Sequence, residues 1–133
     1  MEARPLDSDQ RALLDFLLSR DFPGRRELIR QAETVMTAGS SCSCGCPSYS
    51  LVADRALPAA AVSYADRMVS DAHGTDPGGN EIGVLLFTED GYLFSVEIYG
   101  VGDDFAGLPR PDSLKLSEWS ERDDHGTRRL LNP

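Results

Sequence analysis

Three cysteines and one histidine are the residues whose types and spacing point most directly to chemistry. The cysteines Cys42, Cys44 and Cys46 occupy alternate positions. In an extended segment such side chains project from one side, so the three thiols would face the same way. Thiolates are ligands for zinc or copper(I), and His73, His125 or an acidic side chain could complete a zinc site. Structural zinc sites usually use two ligand pairs, however, and only one cluster is present, so no cofactor is expected. Three interpretations of the cysteines stay open: small residues of a turn, ligands of a metal site, or members of a redox site.

His73 has a second chemical role to consider. It lies between Asp71 and Asp76, and a carboxylate beside a histidine can orient it as a general base. The sequence has no serine or cysteine in the context of a nucleophile elbow, and its glycines lack the lysine of a phosphate-binding loop. No catalytic set can be assembled, so an exposed loop histidine in a non-enzymatic protein is favoured.

A β-hairpin is the clearest element in the sequence. Two apolar runs, 82–88 and 92–99, flank Asp90-Gly91, a pair typical of tight hairpin turns. Alternation assigns one set of side chains to the core: Ile82, Val84, Leu86, Tyr92, Phe94, Val96 and Ile98. The opposite face then carries the candidate interface: Leu85, Phe87, Leu93, Glu97 and Tyr99. A face this apolar needs a cover, which is either a partner or the C-terminal segment of the chain.

Two helices are predicted before the strands. An Asp7–Gln10 capping box and a leucine stripe over 13–18 predict the first, which runs to about Arg20, and the second ends near Ala32. Segments 34–37 and 49–52 are expected to pair as a first hairpin, and 71–80 to form a loop. The sequence therefore predicts a single α+β domain over 1–120, with N-terminal helices packed on a four-stranded antiparallel meander. A loosely ordered tail is expected over 121–133.

Four motifs follow one another in a fixed order. The first is the leucine-rich helix with Asp21-Phe22-Pro23-Gly24, and the second is the segment Leu28 to Gln31. The third is the turn Cys44-Gly45-Cys46-Pro47. The fourth is the hairpin from Asp90-Gly91-Tyr92-Leu93 to Val96-Glu97-Ile98-Tyr99, followed by Leu108-Pro109-Arg110-Pro111. In this combination, over about residues 10–115, the chain resembles a family of small uncharacterised actinobacterial proteins. The resemblance implies one compact domain and carries no activity or catalytic residue with it.

The charge of the chain limits its partners. Its 133 residues include 13 basic and 22 acidic side chains, a net charge of −9. Such a protein repels the phosphates of nucleic acid. No apolar run reaches the roughly 18 to 20 residues of a membrane helix, and no signal-peptide pattern opens the chain, so a cytoplasmic protein without membrane contact is expected.

The function predicted from these observations is a small acidic binding or interaction module that pairs with another protein or forms a homodimer. Two alternatives stay open. One is a metal- or thiol-dependent protein that uses the turn of Cys42, Cys44 and Cys46. The other is an immunity-type protein that neutralises a basic partner by charge complementarity.

Overall fold

The computed structural model describes residues 2–39, 46–62, 67–100, 102, 104–117, 120–122 and 128–130. Two α-helices are present among them, α1 (Ser8–Leu17) and α2 (Arg25–Ala32). The strands, in chain order, are β1 (Arg4–Pro5), β2 (Met36–Thr37), β3 (Tyr49–Ser50), β4 (Met68–Thr75), β5 (Glu81–Glu89), β6 (Tyr92–Gly100), β7 (Leu114–Leu116), β8 (Ser120–Arg122) and β9 (Arg128–Leu130). A 3₁₀ turn, Pro111–Ser113, precedes β7.

Both predicted helices form. The Asp7 carboxylate accepts from the Gln10 backbone N–H at 2.8 Å, and the Gln10 side-chain oxygen accepts from the Asp7 N–H at 3.0 Å. This capping box begins α1 where the sequence indicated. Helix α2 follows Gly24, whose left-handed backbone (φ 89°) ends the turn between the helices. None of the described helices is long and apolar enough to cross a membrane.

The main sheet has five strands in the order β3-β6-β5-β4-β7, and all neighbouring strands are antiparallel. The α+β class is confirmed, but the sheet is not the expected four-stranded meander. Strand β2 pairs with β1 in a separate two-stranded sheet and meets the predicted return strand only through the Met36–Val52 bridge. Strands β8 and β9 pair with each other inside the segment expected to be a loose tail.

Strand β4 lies in a stretch that the sequence analysis assigned partly to a loop. Its residues include Ser70, Asp71 and Gly74, types with low strand propensity. It is a strand because β5 pairs with it on one side and β7 on the other, while Val69 and Ala72 are buried. Pairing and burial outweigh the local preference of these residues.

Both helices pack against one side of the main sheet, here called the inner face. Leu13, Leu14, Leu17 and Leu28 of the helices are fully buried there. They belong to one core with the inward side chains of the hairpin: Ile82, Val84, Leu86, Leu93, Val96 and Ile98. Burial of this continuous apolar surface is the main force that holds the helices on the sheet.

A β-bulge changes the faces of the β5–β6 hairpin near its turn. Phe87 pairs with Ser95, but the next pair is Thr88 with Leu93, so Phe94 is an extra residue on β6. The bulge reverses the expectations for two residues: Leu93 is in the core, 2% exposed, and Phe94 is 48% exposed on the opposite side. Tyr92, also expected in the core, is only half-buried and donates its hydroxyl to the Arg55 and Leu57 carbonyls. The alternation used in the sequence analysis holds from Val96 onward and fails before it.

Gln31 fixes the hairpin turn to helix α2. Its side-chain amide donates to the carbonyl oxygens of Gly91 (3.0 Å) and Pro58 (3.1 Å), and its oxygen accepts from the Leu93 N–H (2.9 Å). The residue is fully buried. One side chain thereby satisfies backbone groups of the turn, of β6 and of the preceding loop.

Candidate interaction surface

The outer face of the main sheet is the side opposite the helices. Strand register brings Asp71, Leu85 and Glu97 into one row across β4, β5 and β6. The next row contains His73, Gly83 and Tyr99. Phe87 and Phe94 lie at the far end, near the hairpin turn. The surface is therefore a mixture of apolar, aromatic and charged side chains contributed by three central strands.

Four of the five predicted interface residues lie on this face. Leu85, Phe87 and Glu97 are half-buried, and Tyr99 is 54% exposed. Leu93 is the exception, because the bulge turns it into the core, and Phe94 takes its place on the surface. The sequence contains one indication of this exchange: Leu93 and Phe94 are adjacent large apolar residues, and adjacent strand residues face opposite sides.

Tyr99 lies across the sheet above Gly83. A Cβ atom added at Gly83 would be 2.1 Å from Tyr99 Cζ and 2.3 Å from its hydroxyl oxygen. Only glycine leaves room for the phenol ring there. Beside the ring is an open depression of about 400 Å³, and His73 and Glu81 contribute to its walls. The depression offers an aromatic surface next to a carboxylate.

A second, smaller depression lies at the turn end of the outer face. It has a volume of about 210 Å³, and its walls include Phe87, Phe94, Arg67 and Glu97. The row of Leu85 and Glu97 separates it from the Tyr99 depression. Both depressions of the outer face therefore combine aromatic side chains with charged ones.

The structure does not bring His73 and Cys46 together. Cys46 is buried, and its thiol donates to the Ser48 hydroxyl (3.2 Å), which in turn accepts from the Ile98 N–H of β6 (2.7 Å). His73 is exposed on β4, and β5 lies between β4 and β6. Two strand spacings are about 10 Å, beyond the reach of one metal ion.

The remaining cysteines of the predicted cluster, Cys42 and Cys44, lie outside the described residues. Within the part of the chain that the structure describes, no group of three or more His, Cys, Asp or Glu side chains could hold a metal ion. The metal hypothesis for the turn of Cys42, Cys44 and Cys46 stays a prediction, with a fourth ligand other than His73.

Asp76, considered from the sequence only as a carboxylate that could orient His73, has other partners in the structure. It is 5% exposed and lies between β4 and β5, where its carboxylate accepts from the backbone N–H groups of Gly78, Asn80 and Ala106. The Asn80 side-chain amide lowers the pKa of Asp76 most; burial opposes this, and the backbone N–H groups lower the pKa further. These bonds attach the segment after β6 to the β4–β5 turn, so the role of Asp76 is structural.

Comparisons of the chain with models of known protein families, with characterised proteins and with solved structures find no significant match. The resemblance to an actinobacterial family therefore stays a prediction.

Proposed function

We propose that this protein is a non-enzymatic protein-binding module and that the outer face of its main sheet is the binding surface. The observation that supports this most is the exposure of Phe94 (48%) and Tyr99 (54%) on the face that also carries Leu85 and Phe87. The described helices pack on the inner face and leave these side chains uncovered.

Two exposed aromatic residues beside half-buried apolar ones are the composition expected of a binding surface. Large aromatic side chains supply much of the affinity at protein interfaces, because they bury area with few rotatable bonds. The charged side chains between them, Glu97 and Asp71, give such a surface selectivity for its partner.

The chemistry of the face also favours binding over catalysis. His73 is exposed, and no described hydrogen bond joins it to a serine or cysteine nucleophile. The Asp71 carboxylate instead accepts from the Ser117 hydroxyl at 2.9 Å. A general base needs a nucleophile within hydrogen-bond reach, and the described side chains of this face do not supply that geometry.

Site-specific photocrosslinking in the source cells tests the proposal. A photoreactive phenylalanine analogue replaces Phe94 in one variant and Asp15 in the control. Asp15 is a suitable control because it is exposed on α1, which packs on the inner face of the sheet. We expect a discrete intermolecular adduct from position 94 and none from position 15. Adding Tyr99→Arg to the position-94 variant should remove the adduct, because the change takes the aromatic ring out of the contact and puts a charged side chain in its place.

Two results would contradict the proposal. Adducts from positions 94 and 15 in equal amounts would show nonspecific contact. Crosslinks from position 94 that join only to residues 113–133 of the same chain would show that the C-terminal segment covers the face. In that second case, Phe94→Asp should also destabilise the purified protein strongly, whereas a free face tolerates the charge.

A further inference from the structure

We infer that the partner of the outer face presents a basic, apolar segment, with an arginine or lysine side chain lying on the ring of Tyr99. This inference rests on the proposed function and adds the chemistry of the partner. It depends on three observations: the placement of Tyr99, the charges around it, and the apolar surface next to it.

Tyr99 provides a fixed aromatic platform. The end of its ring lies directly above Gly83, so the sheet supports one side of the ring while more than half of the residue is exposed. The face of an aromatic ring attracts a cation placed over it, within about 6 Å of the ring centre. Because Gly83 has no side chain, the Tyr99 ring can rest on the backbone of β5, which holds it in position for such a contact.

The charges around the ring favour a cation over an anion. Glu97 lies two residues before Tyr99 on β6, and Glu81 lines the same depression as Tyr99. Asp71 is opposite Leu85 in the neighbouring row. On the described outer face and the β5–β6 turn, the five carboxylates of Asp71, Glu81, Glu89, Asp90 and Glu97 outnumber the two cations of Arg67 and Lys115. The whole chain carries a charge of −9, which steers a basic segment toward it.

The apolar part of the partner belongs at the other end of the face. Phe87 and Phe94 supply the apolar walls of the second depression, beside the charged side chains of Arg67, Glu89 and Glu97, and Leu85 lies between it and Tyr99. A purely polar cationic segment would leave these side chains in water. A segment with both apolar and basic side chains would cover the aromatic end and place a cation on Tyr99.

Binding of synthetic peptides to the full chain tests the inference. Three fluorescent peptides of about 12 residues are compared at about 150 mM salt, which limits long-range attraction. The first peptide alternates Leu with Arg, the second Ser with Arg, and the third Leu with Glu. We expect the Leu–Arg peptide to bind at least about tenfold more tightly than either of the others, because it alone has both required components.

Variants of the protein locate the contact. Tyr99→Leu should weaken binding of the Leu–Arg peptide about 3- to 30-fold, and Tyr99→Phe should retain it, because the ring supplies the attraction. Glu81→Gln should weaken binding about 2- to 5-fold. Glu33→Gln makes the same change in net charge at an exposed position after α2 and should leave binding unchanged.

Several outcomes would overturn the inference. Equal binding of the Leu–Arg and Ser–Arg peptides, with Glu33→Gln as harmful as Glu81→Gln, would show attraction to overall charge alone. Equal or tighter binding of the Leu–Glu peptide, or no binding of any peptide, would also refute a basic partner. If the intermolecular crosslink from position 94 still forms, only the inferred chemistry is wrong; if that crosslink is absent as well, the binding surface itself is wrong.

Discussion

Leu93 and Phe94 are neighbours in β6, yet one is buried in the core and the other is about half exposed. We expect Leu93→Ala to lower the free energy of unfolding by about 2–5 kcal/mol, because it opens a cavity beneath α2. Phe94→Ala should change it by less than about 1 kcal/mol, since the side chain is exposed. Urea unfolding of the two variants measures the difference.

The same pair of variants tests the bulge itself. In a regular strand that keeps the alternation of Val96 and Ile98, Phe94 would face the core and Leu93 would be exposed. A larger loss of stability for Phe94→Ala than for Leu93→Ala would therefore contradict the bulge and the outer-face assignment of Phe94.

Gln31 is the polar side chain on which the hairpin turn most depends. Gln31→Met keeps the volume of the side chain but removes the bond to the buried Leu93 N–H and those to the Gly91 and Pro58 carbonyls, of which Gly91 still accepts from the Ala60 N–H. We expect a loss of about 2–4 kcal/mol in the free energy of unfolding. The control is Arg30→Met on the exposed side of the same helix, which should change it by less than about 0.5 kcal/mol. Equal effects of the two variants would refute the role of Gln31.

Local patterns explain which core residues the sequence predicts. The leucines of α1 repeat with helical spacing, so their burial follows from the sequence alone. Gln31 gives no such signal, because its hydrogen-bond partners are 27 to 62 positions away along the chain. A polar residue that bonds to distant backbone groups looks like any other polar helix residue until the fold brings those groups together.

The β5–β6 turn depends on the absence of a side chain at Gly91. This glycine has φ 85°, and a Cβ atom there would be 2.4 Å from the Ala60 carbonyl oxygen. Gly79, in the β4–β5 turn, has a similar φ of 83° but open space around it. Gly79→Ala should therefore cost about 1–2 kcal/mol from backbone strain alone, and Gly91→Ala clearly more. Thermal unfolding compares them, and equal losses would show that contact with Ala60 has no effect.

The sequence predicts a strand well when local residues favour it, and poorly when the strand forms only by pairing with its neighbours. Strands β5 and β6 are rich in β-branched and aromatic residues and flank an Asp-Gly turn, so the sequence indicates them directly. The outward side chains Asp71 and His73 of strand β4 are polar. Its Gly74 lies against the backbone of Ser113, and a Cβ atom added at Gly74 would be 2.0 Å from the Ser113 carbonyl oxygen. The register of β4 is set by β5 and β7 together, which no local pattern contains.

At the scale of the whole molecule, the sheet separates the side packed against the helices from the proposed binding side. The inner face joins both helices in one core, while the outer face combines exposed aromatic rings with an excess of carboxylates. The sequence predicts most of that outer face because alternation along β5 is regular, and it misplaces Leu93 because a bulge depends on strand pairing. It gives no sign that Gly83 supports Tyr99, since that contact joins two strands.

Acid stability of the whole fold is expected to depend on Asp76. Its folded pKa lies below the usual value near 4, first because of the Asn80 amide and then because of backbone N–H groups. A group with a lowered folded pKa stabilises the protein fully above its unfolded pKa, and this contribution disappears as the pH falls through the folded value. Asp76→Asn should therefore be less stable than the wild type at neutral pH, and the difference should shrink as the pH falls below about 4.

Urea unfolding from about pH 7 to about pH 2.5 measures this change. Asp54→Asn is the matched control, because it removes one negative charge from an exposed carboxylate that accepts only the Ala56 N–H among the described bonds. The two variants have the same net charge, so general charge effects on acid unfolding cancel in their comparison. If Asp76→Asn and the wild type keep a constant difference over the whole range, the hydrogen bonds of Asp76 do not favour its charged form, and the segment around Ala106 is held by other contacts.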